Sequence, residues 1–209
     1  MMQAIHVFWA YFRQSHPPLV RTVHSAVLVM VLMQMLSSNL IRFDAAGRVS
    51  ASPLFFMGSW AHFGTGLVLA LIGAFFVIIE IARRGLRYFF PYLWGDFSQL
   101  KANVKILLGR RLPEASPGSL AAVVQGLGLG ALVLTLSSGL AWFFLWQTGT
   151  GAAETAKSIH EACTGLIQAY VVGHGGLGLI HIFLWNRNQR GSGQNGHQKE
   201  PAEKDDDSV

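Results

Sequence analysis

Lys157 to His181 reads KSIHEACTGLIQAYVVGHGGLGLIH. The stretch is apolar enough to cross a membrane as a helix, yet it carries three histidines, spaced fourteen and then seven residues apart. Imidazoles are costly to place in hydrocarbon, and an ionisable residue within a membrane marks a functional site by default. The fold and the chemistry both depend on what these rings hold.

The surrounding chain has the composition of a membrane protein. Of its 209 residues, 51% are hydrophobic and only 13% charged, and the mean hydropathy is +0.38. A water-soluble core of this size cannot bury that much apolar side chain, so lipid is the solvent. Three further stretches are long enough to span a hydrocarbon core, which takes about 20 helical residues. They are Leu19–Ile41, Phe55–Ala82 and Ser119–Trp146, and the fourth span extends the opening stretch to Trp185. All four are unbroken apolar runs without alternation, which predicts helices and not barrel strands. The predicted fold is all-α: an integral membrane four-helix bundle at 19–186, between an interfacial arm at 1–18 and a disordered tail at 187–209.

Thirteen of the sixteen Lys and Arg residues lie in the two termini and the connection between spans two and three. Only Arg42, Arg48 and Lys157 fall in the other two loops. The positive-inside rule then puts both termini and the long connection in the cytoplasm. That connection holds Tyr88, Tyr92 and Trp94 for the headgroup belt, and Leu100, Val104, Leu107 and Leu108 at helical spacing. It predicts an amphipathic helix on the inner surface. A cleaved signal peptide is not expected, because Pro17–Pro18 precede the first apolar run and no small-residue cleavage site follows. The single cysteine, Cys163, excludes an internal disulfide, a cysteine-ligated iron–sulfur cluster and a CxxCH haem attachment site. It reads as packing.

Five of the eight histidines fall in or at the ends of spans one, two and four. His160 and His174 are about 21 Å apart along one helix and share a face within roughly 40°. They point into the same interior but cannot share one metal ion, so ligation would mean two sites at two depths. His62 matches the depth of His160, and His24 that of His174. Two facing histidines are too few for a closed zinc site, which wants four ligands. They are the right number for the axial positions of a haem, non-covalent and so b-type. Glycines 64, 66, 126, 128, 130, 173, 175 and 176 would let a flat macrocycle approach the backbone. Ordinary tight helix packing is an equal explanation for them.

On these residues the chain resembles the bacterial di-haem cytochrome b561 family. It is also similar to the cytochrome b subunits of membrane-bound hydrogenases and formate dehydrogenases. KSIHE at 157–161, GH at 173–174, His181 with FLW at 183–185, RTVH at 21–24 and WAHFG at 60–64 carry the resemblance. It spans residues 19 to 186, and the longer middle connection is closer to the large-complex subunits. The resemblance implies two haems b, one held by His62 with His160 and one by His24 with His174. It also implies a quinone substrate near His174, His181 and the middle helix. The outer partner would be a periplasmic redox protein: a hydrogenase, a molybdenum enzyme or a c-type cytochrome.

The expected function is electron transfer between a membrane quinone and that partner in a respiratory chain. The chain would act as an electron-transfer subunit or as a quinone oxidoreductase component. Its expected location is the bacterial inner membrane, as a multi-pass protein; an oligomer is compatible with this, and no nucleic acid is expected. Arg21 pairs with a haem propionate or snorkels to the headgroups. His181 serves a propionate, a quinone or proton uptake, or is a plain interfacial histidine. Glu80 sits at the interface or accepts protons near a quinone, and Glu161 faces the outer water or a loop partner. The alternative from another class is a haem-free transporter or assembly factor whose histidines line a proton or metal-ion path.

Overall fold

A computed structural model of the protein describes residues 17–109 and 116–196, with side chains as far as residue 180. Among the described residues the six α-helices are α1 (Pro18–Ser37), α2 (Pro53–Arg84), the single turn α3 (Leu86–Phe89), α4 (Ser98–Leu108), α5 (Leu120–Gln147) and α6 (Ala153–Gly196). Short 3-10 turns at Ser38–Leu40 and Pro91–Trp94 extend α1 and follow α3. Four helices are long and apolar enough to cross a membrane: Pro18–Leu40, Pro53–Arg84, Leu120–Gln147 and Ala153–Ile180. All four predicted spans are therefore present, and no strand occurs among the described residues.

Local chemistry sets the helix ends. Pro18 and Pro53 stand at the first helical position, where a missing N–H costs nothing. The Ser119 hydroxyl caps α5 by accepting from the Ala122 amide at 3.2 Å. Helix α2 stops at Gly85, whose φ of 78° suits glycine and few other residues. In the loop between α1 and α2, Gly47 (φ 72°) turns a short hairpin that brings Phe43 opposite Val49. The Arg48 amide, with that of Ala46, donates to the Asp44 carboxylate and holds its pKa below the ordinary value.

The helices pack as two hairpins, α1 on α2 and α5 on α6, joined where α2 meets α5. Val20, Val27 and Val31 of α1, Leu69 and Phe76 of α2, and Leu129 and Leu132 of α5 form the main core with Phe89 and Ile167. A second cluster of Phe63, Trp142 and Ala156 closes the other end. Leu71, Ile78, Val172 and Leu179 point outward and are 64–76% exposed, as side chains facing lipid must be.

Helix α6 stands apart. Its apolar window is 6% buried, against 33% for α5, because it packs on α5 and scarcely touches α1 or α2. A gap is left on the face that carries its histidines.

The middle connection forms the surface helix that its pattern predicts. Asn103 is the one buried residue of α4, while Val104, Leu107 and Leu108 face away from the bundle. The Asn103 Oδ1 accepts from the Leu120 amide at 2.8 Å, tying α4 to the start of α5. Helix α6 begins at Ala153, before Lys157, and continues to Gly196, beyond the expected end at Trp185. Adding a residue to an existing helix is far cheaper than starting one, so polar residues can follow the apolar span. The arm at 1–16 and the tail from 197 onward lie outside the described residues.

Candidate functional site

His24 projects from α1 and His174 from α6, across the gap between those helices. Their ring centres are 6.5 Å apart with planes at 66°. Phe76 packs on His24 at 5.7 Å, and Tyr170 stacks on His174 at 5.0 Å with planes within 10°. A Cβ at Gly128 would run into the Tyr170 ring, so α5 needs glycine there for the ring that supports His174. Gly126 makes similar room for the backbone of Phe89.

The second pair occupies the opposite end. His62 of α2 and His160 of α6 line one cavity of about 390 Å³ that also reaches α1 and α5. Each Nδ1 is held by a serine hydroxyl from a neighbouring helix: Ser37 to His62 at 3.0 Å, and Ser138 to His160 at 3.2 Å. Gln34 of α1 clamps the His62 turn, donating to the His62 carbonyl at 3.1 Å and to Thr65 Oγ1 at 2.6 Å. Across the cavity, Trp142 lies parallel to His160 within 5°. A Cβ on Gly139 would sit 2.9 Å from His160 Cε1, so the imidazole depends on that glycine for its position. Among the described residues no hydrogen bond engages Nε2 of His62 or His160.

These arrangements suit an axially ligated metal macrocycle on three counts. An imidazole nitrogen binds a metal at about 2 Å, so two rings on opposite sides of one iron have centres roughly 6 Å apart. The His24–His174 separation meets that distance. Metal-bound histidines usually direct the other ring nitrogen to a fixed partner, as Ser37 and Ser138 provide at the other pair. No group of three or more His, Cys, Asp or Glu residues that could hold a metal ion occurs among the described residues. Two facing histidines are the number that the two axial positions of a macrocycle could take. Gly64, Gly173, Gly175 and Gly176 have nothing within 4 Å of the position of a Cβ, so close helix packing does not account for them.

The other sequence candidates divide. Arg21 is half-buried one turn before His24, without an ion pair among the described residues. His181 lies on the α6 backbone seven residues after His174, and its side chain is outside the described residues. Glu80 is buried and paired with Arg83 at 3.3 Å and Arg84 at 3.6 Å. The guanidinium of Arg84 also donates to the Tyr88 hydroxyl at 2.6 Å. Beside them a cleft of about 290 Å³ is lined by Arg84, Arg87, Tyr88 and Gln99. Glu161 is exposed at the cavity rim, and Cys163 is buried packing. Sequence reading missed Ser37, Ser138, Gly139, Trp142 and Tyr170. Only the ready tolerance of Ser and Gly in membrane helices hints at the first three.

A family model described as prokaryotic cytochrome b561 matches residues 15–190. No curated protein and no solved structure matches the chain. The family binds haem b, so the haem-free transporter or assembly factor gives way. Four membrane-spanning helices, histidines facing gaps in their bundle and a match over most of the sequence lead to one conclusion. The chain belongs to the prokaryotic cytochrome b561 family and is a transmembrane b-type cytochrome of electron transfer.

Proposed function

We propose that the chain relays single electrons between a membrane quinone and a redox protein at the opposite face, using two haems b. His62 with His160 would hold one, and His24 with His174 the other. One observation carries this reading: α6 stands off from α1 and α2, and a histidine pair faces the gap at each of two depths. A bound haem supplies one-electron chemistry at iron, whose potential the axial ligands and their surroundings tune.

The chain's own residues bind, orient and exclude water. The Ser37 and Ser138 hydroxyls donate to the Gln34 and Thr135 carbonyls at 3.3 and 3.1 Å, so each would accept the Nδ1 proton of its histidine and leave Nε2 as the ligand atom. Tyr170 and Phe76 pack the inner rings in place, and Trp142 does so for His160. Fourteen residues of helix separate His160 from His174, about 21 Å, so each site lies near one membrane surface.

The quinone end is assigned to the His174 side, with His181 and α4. The cleft beside Arg84, Tyr88 and Gln99 supports that assignment, since it offers donors for quinone carbonyl oxygens at the end of α2. At the other end, loops 41–52 and 148–152 are short and leave a low surface for a periplasmic protein. A hydrogenase, a molybdenum enzyme or a c-type cytochrome fits that role. The charge distribution supports an orientation with both termini on the cytoplasmic side of a bacterial inner membrane. There the chain serves as an anchoring electron-transfer subunit or as a quinone oxidoreductase component.

The test is reduction by quinol. Full-length protein in detergent, mixed with a benzoquinol or a naphthoquinol, should develop the reduced b-type α band within seconds. A spectrum that dithionite changes and neither quinol does would overturn the quinone assignment.

A further inference from the structure

The outer cavity is apolar along most of its length and charged only at its rim. Its charged lining residues are Arg42, Lys157 and Glu161. The outer loops and the first turns of α6 hold just three cations, and one of them, Arg48, is engaged by Asp44 at 3.1 Å. Neither of the remaining two, Arg42 and Lys157, forms an ion pair among the described residues. Arg42 is nonetheless held in place: its Nη1 donates to the Ile41 carbonyl at 2.8 Å, and its guanidinium lies over the Phe55 ring at 5.5 Å. Lys157 is half-buried, one helical turn outward from His160, and Glu161 on the next turn does not reach it.

Two cations lining an apolar slot, Arg42 just past the end of α1 and the half-buried Lys157 on α6, are complementary to a flat apolar ligand with two carboxylates on one edge; Glu161 shares the lining but pairs with neither. Arginine and lysine both bind carboxylates well in partly desolvated sites. We propose that Arg42 and Lys157 clamp the two propionates of the haem held by His62 and His160, with the carboxylate edge turned to the outer mouth. This rests on the di-haem reading above. Both are positioning residues. They fix which edge of the macrocycle faces the docking surface, and their charge favours the reduced iron.

The experiment is redox titration of the full-length holoprotein and its Arg42→Gln, Lys157→Gln and doubly substituted variants, followed in the b-type α band. Removing a cation near the iron relatively stabilises the oxidised form. One of the two midpoint potentials should fall in each single variant and fall further in the double. The haem that shifts should be the one missing from His160→Ala, and Lys157→Arg should restore the potential. If the double variant loses that haem, its return with Arg42→Lys and Lys157→Arg supports the clamp, and failure to return counts against it. Two haems at unchanged potentials in the double variant would overturn the clamp alone. Wild-type protein without haem at the His160 pair would instead overturn the reading beneath it.

Discussion

Each proposed ligand is braced by neighbouring side chains. His160 is placed by the Ser138 hydroxyl, the Trp142 face and the missing side chain of Gly139. His174 is placed by Tyr170, which in turn needs Gly128. The ligand assignment predicts that His160→Ala and His174→Ala each lower the haem content from two to one per chain, with different spectral components lost. Haem quantification on both variants checks this, and two full-intensity signals in both would refute the assignment. Gly139→Ala should push a methyl group against His160. Overpacking of this kind costs about 1–3 kcal/mol, so the same haem should bleach at a lower temperature. Gly130→Ala, where nothing lies within 4 Å of the new atom, is the control and should bleach with the wild type. The histidines were legible in the sequence because a helix fixes spacing and face. Their supporting serines and glycines were not, because cross-helix partners depend on how each helix turns about its axis.

The helices differ in what holds them. Gln34 fastens α1 to α2, and Thr135 donates to the Cys163 carbonyl at 3.0 Å to fasten α5 to α6. Helix α4 hangs on Asn103 alone among its buried residues, with Leu107 and Leu108 turned outward. Asn103→Ala removes the acceptor for the Leu120 amide, a loss comparable to a helix cap at about 1 kcal/mol. In detergent-solubilised protein, the middle connection should be cut faster by protease while the haem spectrum stays unchanged. Equal cleavage rates would show that α4 is held by something else. Apolar run length and the proline positions placed the ends of the first three spans within two residues. The reach of α6 to Gly196 was not legible, since NRNQRG carries none of the apolar content by which spans are recognised.

Along the sequence, thirteen cations fall in the termini and the middle connection, and three in or beside the other two connections. By the positive-inside rule, this asymmetry predicts both termini and the middle connection on the cytoplasmic side. In a Cys163→Ser background, Ala46→Cys should react with an impermeant maleimide in intact cells, and Lys101→Cys only after permeabilisation. The opposite pattern would invert the topology and exchange the quinone and partner faces. The stand-off of α6 was not legible from any one span, because it arises from how two hairpins meet. It is nonetheless the feature on which the di-haem reading depends, since a closed four-helix core would leave no room for two macrocycles. The most direct measurement is therefore the haem-to-protein ratio of the purified full-length chain by pyridine haemochrome. Two haems b per chain is the predicted result; one or none would contradict the account.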